Sequence, residues 1–226
     1  MSWFGILSEK PWIPEAQGTT AEWGRTAYTP AVKISLRFLL GVISVFFLLF
    51  FVTFISRSQY DDFLALAGEP WQPFTNSMRL WINTGVLVLA SVAMQCAVYA
   101  LRRNHGVRLL LSLAVGAVLA ALFIVLQISV WQFLAGMGYS VAGNPANSYF
   151  YILTGLHALH LLGGLFALGR VVNNMRFEGN LQNRHAAIEA CAVYWHYLLG
   201  LWLVLFFMLT RTPETYALIA AACGLG

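Results

Sequence analysis

Five long apolar runs, separated by short polar stretches, set the pattern of this chain. They occupy residues 32–55, 80–101, 109–134, 148–172 and 187–209. Each reaches the ~20 residues that an α-helix needs to cross a hydrocarbon core of ~30 Å. The intervening stretches read as turns. Residues 56–78 hold Asp61, Asp62 and Glu69 with Gly68-Glu69-Pro70-Trp71-Gln72-Pro73, and residues 136–147 are uncharged and rich in Gly, Asn and Pro. The pattern predicts an all-α integral membrane protein with five transmembrane helices in one bundle, residues 31–212. Residues 1–30, with Trp3, Trp12 and Trp23 among several prolines, are expected to lie at the membrane interface. The tail, residues 213–226, is too short to span.

Composition agrees: 59% of the 226 residues are hydrophobic and 10% charged, against about a quarter charged in soluble domains. The net charge of +4 would suit an acidic partner such as nucleic acid, but the placement of the cations points to membrane topology. Lys10, Arg25, Lys33, Arg37, Arg102, Arg103, Arg108, Arg170, Arg176 and Arg184 fall on one side of the predicted bundle, and Arg57, Arg79 and Arg211 on the other. This bias predicts a cytoplasmic N-terminus and a periplasmic C-terminus. The first residues contain no uninterrupted apolar region of the kind a cleavable signal requires. Cys96, Cys191 and Cys223 are far apart and form no CxxC pair. The first two are expected to pack as small apolar residues.

The polar residues inside the runs are Asn83, Thr84, Gln95, Gln127, Thr154, His157, His160, Glu189 and His196. Buried ionisable groups at this depth are costly and need partners. At 1.5 Å rise per residue, His157 and His160 lie about 14 and 18 Å into the fourth run. His196 lies about 14 Å into the fifth, entering from the opposite side. Antiparallel neighbours would bring the three imidazoles to similar depth. Two chemistries follow. The imidazoles bond to carbonyls and hydroxyls, with Tyr151, Thr154 and Tyr194 available, or His157 or His160 joins His196 as the axial ligands of a haem. Glu189 is expected to pair with His185 or an arginine of the preceding loop. Gly116, Ala120, Gly155 and the pair Gly163–Gly164 permit close helix approach, with a tight crossing at the pair. The sequence contains no GxSxG, HExxH or P-loop, and no nucleophile–base pair with supporting spacing.

Runs four and five resemble the last two helices of the cytochrome c oxidase subunit III family. The likeness lies in Thr154-Gly155-Leu156-His157-Ala158-Leu159-His160 followed by Gly163 and Gly164. It continues through His185, Glu189, Tyr194-Trp195-His196-Tyr197 and Trp202. Asn83-Thr84 in the second run, and Gly116 and Gln127 in the third, fit the same family. The resemblance implies a non-catalytic, short five-helix bacterial form of the subunit in the cytoplasmic membrane, with no haem, copper or other metal of its own. Haem and copper would reside in partner subunits I and II. The subunit would stabilise the catalytic subunit during aerobic electron transport and proton pumping, and hold phospholipid. Arg37, Arg79, Arg102, Arg103 and Arg108 are the candidate phosphate partners by charge and interfacial position. His157, His160, His196, Glu189 and Trp202 would form a structural polar cluster.

Three departures stand out: Gly41 and Val42 replace the family's Ser-Glu pair, Val130 replaces a Glu, and Leu199 replaces an Asp. Rival readings are an accessory subunit of a nitric oxide reductase, a stand-alone haem b protein using His160 and His196, and a lipid-binding or assembly factor.

Overall fold

The computed structural model describes residues 20–60, 78–141, 145–175, 181–210, 213–222 and 224, with side chains placed from residue 31 onward and not for 181–183 or 213–214. Among the described residues the chain is all-helical. Its helices are α1 (Thr20–Arg57), α2 (Met78–Arg102), α3 (Gly106–Gly136), α4 (Pro145–Asn174), α5 (Leu181–Leu209) and α6 (Pro213–Ala222). Five segments are long and apolar enough to cross a membrane: Ala31–Arg57, Met78–Arg102, Gly106–Gly136, Pro145–Asn174 and Arg184–Leu209. They enclose all five apolar runs and extend them slightly at the polar ends, because backbone hydrogen bonding continues after the side chains cease to be apolar. Helix α1 begins well before the first apolar run. Residues 20–30 already belong to α1, Pro30 included, although proline removes one backbone donor. Trp3, Trp12 and the polar stretch 61–77 lie outside the described residues.

The α2–α3 and α3–α4 connections each start from a helix C-cap. Asn104 has φ 54°, and the bonds from His105 N to Ala100 O (2.9 Å) and from Asn104 N to Leu101 O (3.0 Å) close the end of α2 in a Schellman motif. Gly138, at φ 91°, closes α3 in the same way through Tyr139 N to Leu134 O and Gly138 N to Ala135 O. Asparagine and glycine are the residues that tolerate this left-handed conformation.

Helices α2, α3, α4 and α5 form a four-membered ring, with contacts α2–α3, α3–α4, α4–α5 and α5–α2. Helix α1 lies outside it against α5 and α4. Accordingly the most apolar stretch of α2 is 56% buried and that of α1 only 22%. Lipid gives apolar side chains no reason to leave it, so close packing must hold such helices together. At Gly116 an added Cβ would stand 3.2 Å from Met94 Sδ and 3.6 Å from the Ala90 carbonyl of α2. At Gly164 it would stand 2.9 Å from the Tyr194 ring of α5, while at Gly163 nothing lies within 4 Å. The tight crossing therefore belongs to Gly164 alone. The tail does not span, but folds as α6: Tyr216 is buried, donates to the Met208 carbonyl and meets Phe54 of α1 edge-on at 5.3 Å.

Candidate functional site

The polar side chains of the ring face one another in pairs. Asn83 of α2 donates its amide N–H to Gln127 Oε1 of α3 at 2.9 Å. One position on, Thr84 receives the indole N–H of Trp202 at 3.0 Å and passes its own proton to the Leu80 carbonyl at 2.8 Å. The same device recurs between α3 and α4, where Trp131 donates to Thr154 (3.0 Å) and Thr154 to the Phe150 carbonyl (2.7 Å). A threonine inside a helix can satisfy its hydroxyl on the preceding turn and keep its oxygen free to accept. The indole N–H, which needs a partner once buried, takes that oxygen. The polar residues alone mark Thr84 and Thr154; their coupling to Trp202 and Trp131 is visible only in the fold.

The three imidazoles lie in different surroundings rather than in one cluster. His157 is fully buried between the rings of Phe123 (5.8 Å) and Trp202 (5.2 Å), and neither ring nitrogen has a hydrogen-bond partner. His160 packs on Phe47 of α1 at 5.6 Å and donates Nδ1–H to the Leu156 carbonyl of its own helix at 2.7 Å. His196 turns to α2: Ser91 Oγ meets Nδ1 at 2.5 Å, and Nε2 meets Gln95 Oε1 at 3.0 Å. An Nε2–H donor and an Nδ1 acceptor satisfy both contacts with a neutral ring. A haem would need facing imidazoles with a free lone pair each. His196 has both nitrogens engaged, and His160 sits against a different helix, so these residues do not fit an axial pair.

Tyr151 donates to the Tyr139 carbonyl at 3.0 Å and Tyr194 to the His160 carbonyl at 3.1 Å, so both serve backbone groups. Glu189 pairs with Arg102 of α2 at 3.3 Å, and not with His185 or a loop arginine as its position suggested. Both partners are substantially exposed, so the pair contributes little energy and mainly sets register. Of the anticipated cluster members, Trp202 stacks against His157. Of the family carboxylate positions, Val42 points outward, Val130 is buried and Leu199 is half-buried.

Arg37, Arg103 and Arg108 are exposed near the end that carries the α2–α3 turn, along with Arg102. Arg79 is at the opposite end of α2, stacked on Phe133 at 4.2 Å. Two cavities open near the first end. One, of about 550 Å³, is lined by Leu101, His105, Leu109, Val172, Arg184 and His185. The other, of about 380 Å³, runs between α1 and the α4/α5 pair along Leu36, Gly163, Gly164, Cys191 and Tyr194.

A model of the cytochrome c oxidase subunit III family matches residues 12–211. The chain belongs to the cytochrome c oxidase subunit III family. Among its relatives, cytochrome c oxidase subunit 3 of Loxodonta africana is 26% identical over 187 residues, covering 79% of this chain and 70% of that protein. That of Thermostichus vulcanus is 27% identical over 161 residues, covering 67% and 79%. That of Branchiostoma lanceolatum is 29% identical over 166 residues, covering 71% and 62%. The chain is thus a multi-pass membrane subunit of a haem–copper oxidase, acting in a respiratory chain beside other oxidase subunits.

Proposed function

We propose that this chain is a non-catalytic scaffold, bound to the catalytic subunit I in company with subunit II, in a bacterial cytoplasmic membrane. It carries neither haem nor copper and steadies the helices of the subunit that reduces oxygen and pumps protons. One observation carries this reading: the polar side chains of the ring are used to tie helix to helix, as in Asn83–Gln127, Thr84–Trp202, Trp131–Thr154 and Ser91–His196. Such ties fix a bundle in one arrangement. The replacement of the family's carboxylates by Val42, Val130 and Leu199 supports a role exerted through shape rather than proton exchange. The excess of Lys and Arg on one side supports a cytoplasmic N-terminus and a periplasmic C-terminus.

Phospholipid is the companion ligand. The two cavities have mostly apolar walls suited to acyl chains, with Arg184 lining the larger, and Arg37, Arg102, Arg103 and Arg108, toward the same end of the helices, would supply phosphate partners. Arg79 would serve the other leaflet.

The test is purification of the tagged chain in a mild detergent, followed by subunit mass spectrometry and a visible spectrum. Stoichiometric haem–copper subunits with haem absorption are expected. A chain that purifies alone, or with haem bound to itself and lost in His196→Ala, refutes the scaffold reading. Phospholipid retained per chain should fall in Arg103→Gln/Arg108→Gln.

A further inference from the structure

The outer surface of the bundle is mostly aliphatic, as a lipid-facing surface should be. On α3 it presents Val107, Leu111, Val115, Val118, Leu122 and Val125. The seam between α2 and α5 departs from this. His196 is exposed there at mid-membrane depth, and among the described residues no other imidazole, carboxylate or cationic side chain in the middle of the spans is. Its neighbour Gln95 is only partly buried. Gln95 accepts from His196 through Oε1, which leaves its amide N–H groups without an acceptor among the described residues.

Hydrocarbon cannot accept a hydrogen bond, and an unsatisfied donor there costs several kcal/mol. Ionisable side chains in spans therefore face protein. The flanks of the seam suit a helix. Val193, His196, Gly200 and Leu203 fall on one face of α5 at helical spacing, and an added Cβ at Gly200 would meet nothing within 4 Å. Small residues on such a face let a second backbone come close.

We propose that the α2/α5 seam is the docking face of this subunit, and that a transmembrane helix of another oxidase subunit covers it. That helix presents a hydrogen-bond acceptor, a carboxylate or a carbonyl, at its midpoint opposite Gln95 and His196. The complementarity is polar: the free amide N–H groups of Gln95, beside His196, call for an acceptor at the same depth. The proposal rests on the scaffold reading and adds which surface of the subunit makes the contact.

Photo-crosslinking in the assembled oxidase tests it. A benzophenone amino acid is placed at Val92 or Val193, exposed by 53% and 50%, and at Val118 of α3, exposed by 67%. Adducts to another oxidase subunit are expected from Val92 and Val193, and lipid adducts from Val118. Lipid adducts alone from the seam, or subunit adducts from Val118 alone, overturn the proposal. Gln95→Leu should lower the fraction of chain retained in the complex about tenfold, the scale of one lost hydrogen-bonded contact, and Val193→Trp, which puts bulk on the face, should independently lower it too. Full retention of both variants also overturns it. If the wild-type chain brings down no oxidase subunit at all, the scaffold reading fails. If it brings them down but touches them only through α3, the reading stands and this face is wrong.

Discussion

The α4/α5 seam and the α2/α5 seam are made of similar residues and end in opposite conditions. Helix α1 lies along the first: Phe47 meets His160 at 5.6 Å, and Ser44 shares a 2.8 Å hydrogen bond with Tyr197. The second leaves His196, Cys96 and Gly200 exposed. In water, an exposed apolar patch is the informative surface. In lipid the sign reverses, and exposed polarity marks the place where another protein belongs.

The sharpest way to probe inside against outside uses neighbouring residues. Trp202 is buried and hydrogen-bonded to Thr84, whereas Leu203 is 45% exposed. Trp202→Ala should destabilise the isolated chain by about 3–5 kcal/mol and Leu203→Ala by less than about 0.5 kcal/mol, measured by unfolding in micelles. Equal effects would mean that the two faces do not differ. The glycine pair offers the next contrast. Gly164→Ala pushes on the Tyr194 ring, held by its bond to the His160 carbonyl, and should cost about 1–3 kcal/mol. Gly163→Ala meets empty space and should be neutral or gain up to about 1 kcal/mol from helix propensity.

A smaller effect separates the two histidines. His157→Leu removes two buried nitrogens that have no partner, so stability should hold or rise by about 1 kcal/mol. In the isolated chain His196→Leu should fall by a similar amount through loss of Ser91 and Gln95. The smallest signal is chemical. Exposed Cys96 should react with a small maleimide in the isolated chain and be protected in the assembled oxidase, with mass spectrometry locating the adduct. Reaction at the same rate in both would mean that the seam stays open.

The five spans were legible because a helix in lipid needs one long apolar run and little else. Depth was legible only in part: the fixed rise puts His157 and His196 near one level, yet His157 meets Trp202, six positions beyond His196 and so about 9 Å further along α5. Azimuth was not. His157 and His160, three positions apart, sit about 60° from each other around their helix, enough for one to enter the ring and the other to meet α1. Only the neighbours decide that, and they come from distant sequence. The same gap misassigned Glu189, whose partner Arg102 belongs to α2, and left the choice between Gly163 and Gly164 open. The start of α1 at Thr20 was hidden because Pro30 reads as a stop.

The tight Asn104 turn bears on biogenesis. With so few residues between them, α2 and α3 must enter the bilayer as a hairpin, arginines trailing on one side. Helix α2 alone is a poor candidate for insertion, with Asn83, Thr84 and Gln95 along its length; α3 is far greasier. Once the two are side by side, Asn83 donates to Gln127 Oε1, so the hairpin can wait in the membrane for the later helices with one polar contact made and the Gln127 amide N–H groups, which find no partner even in the full bundle, still to be enclosed.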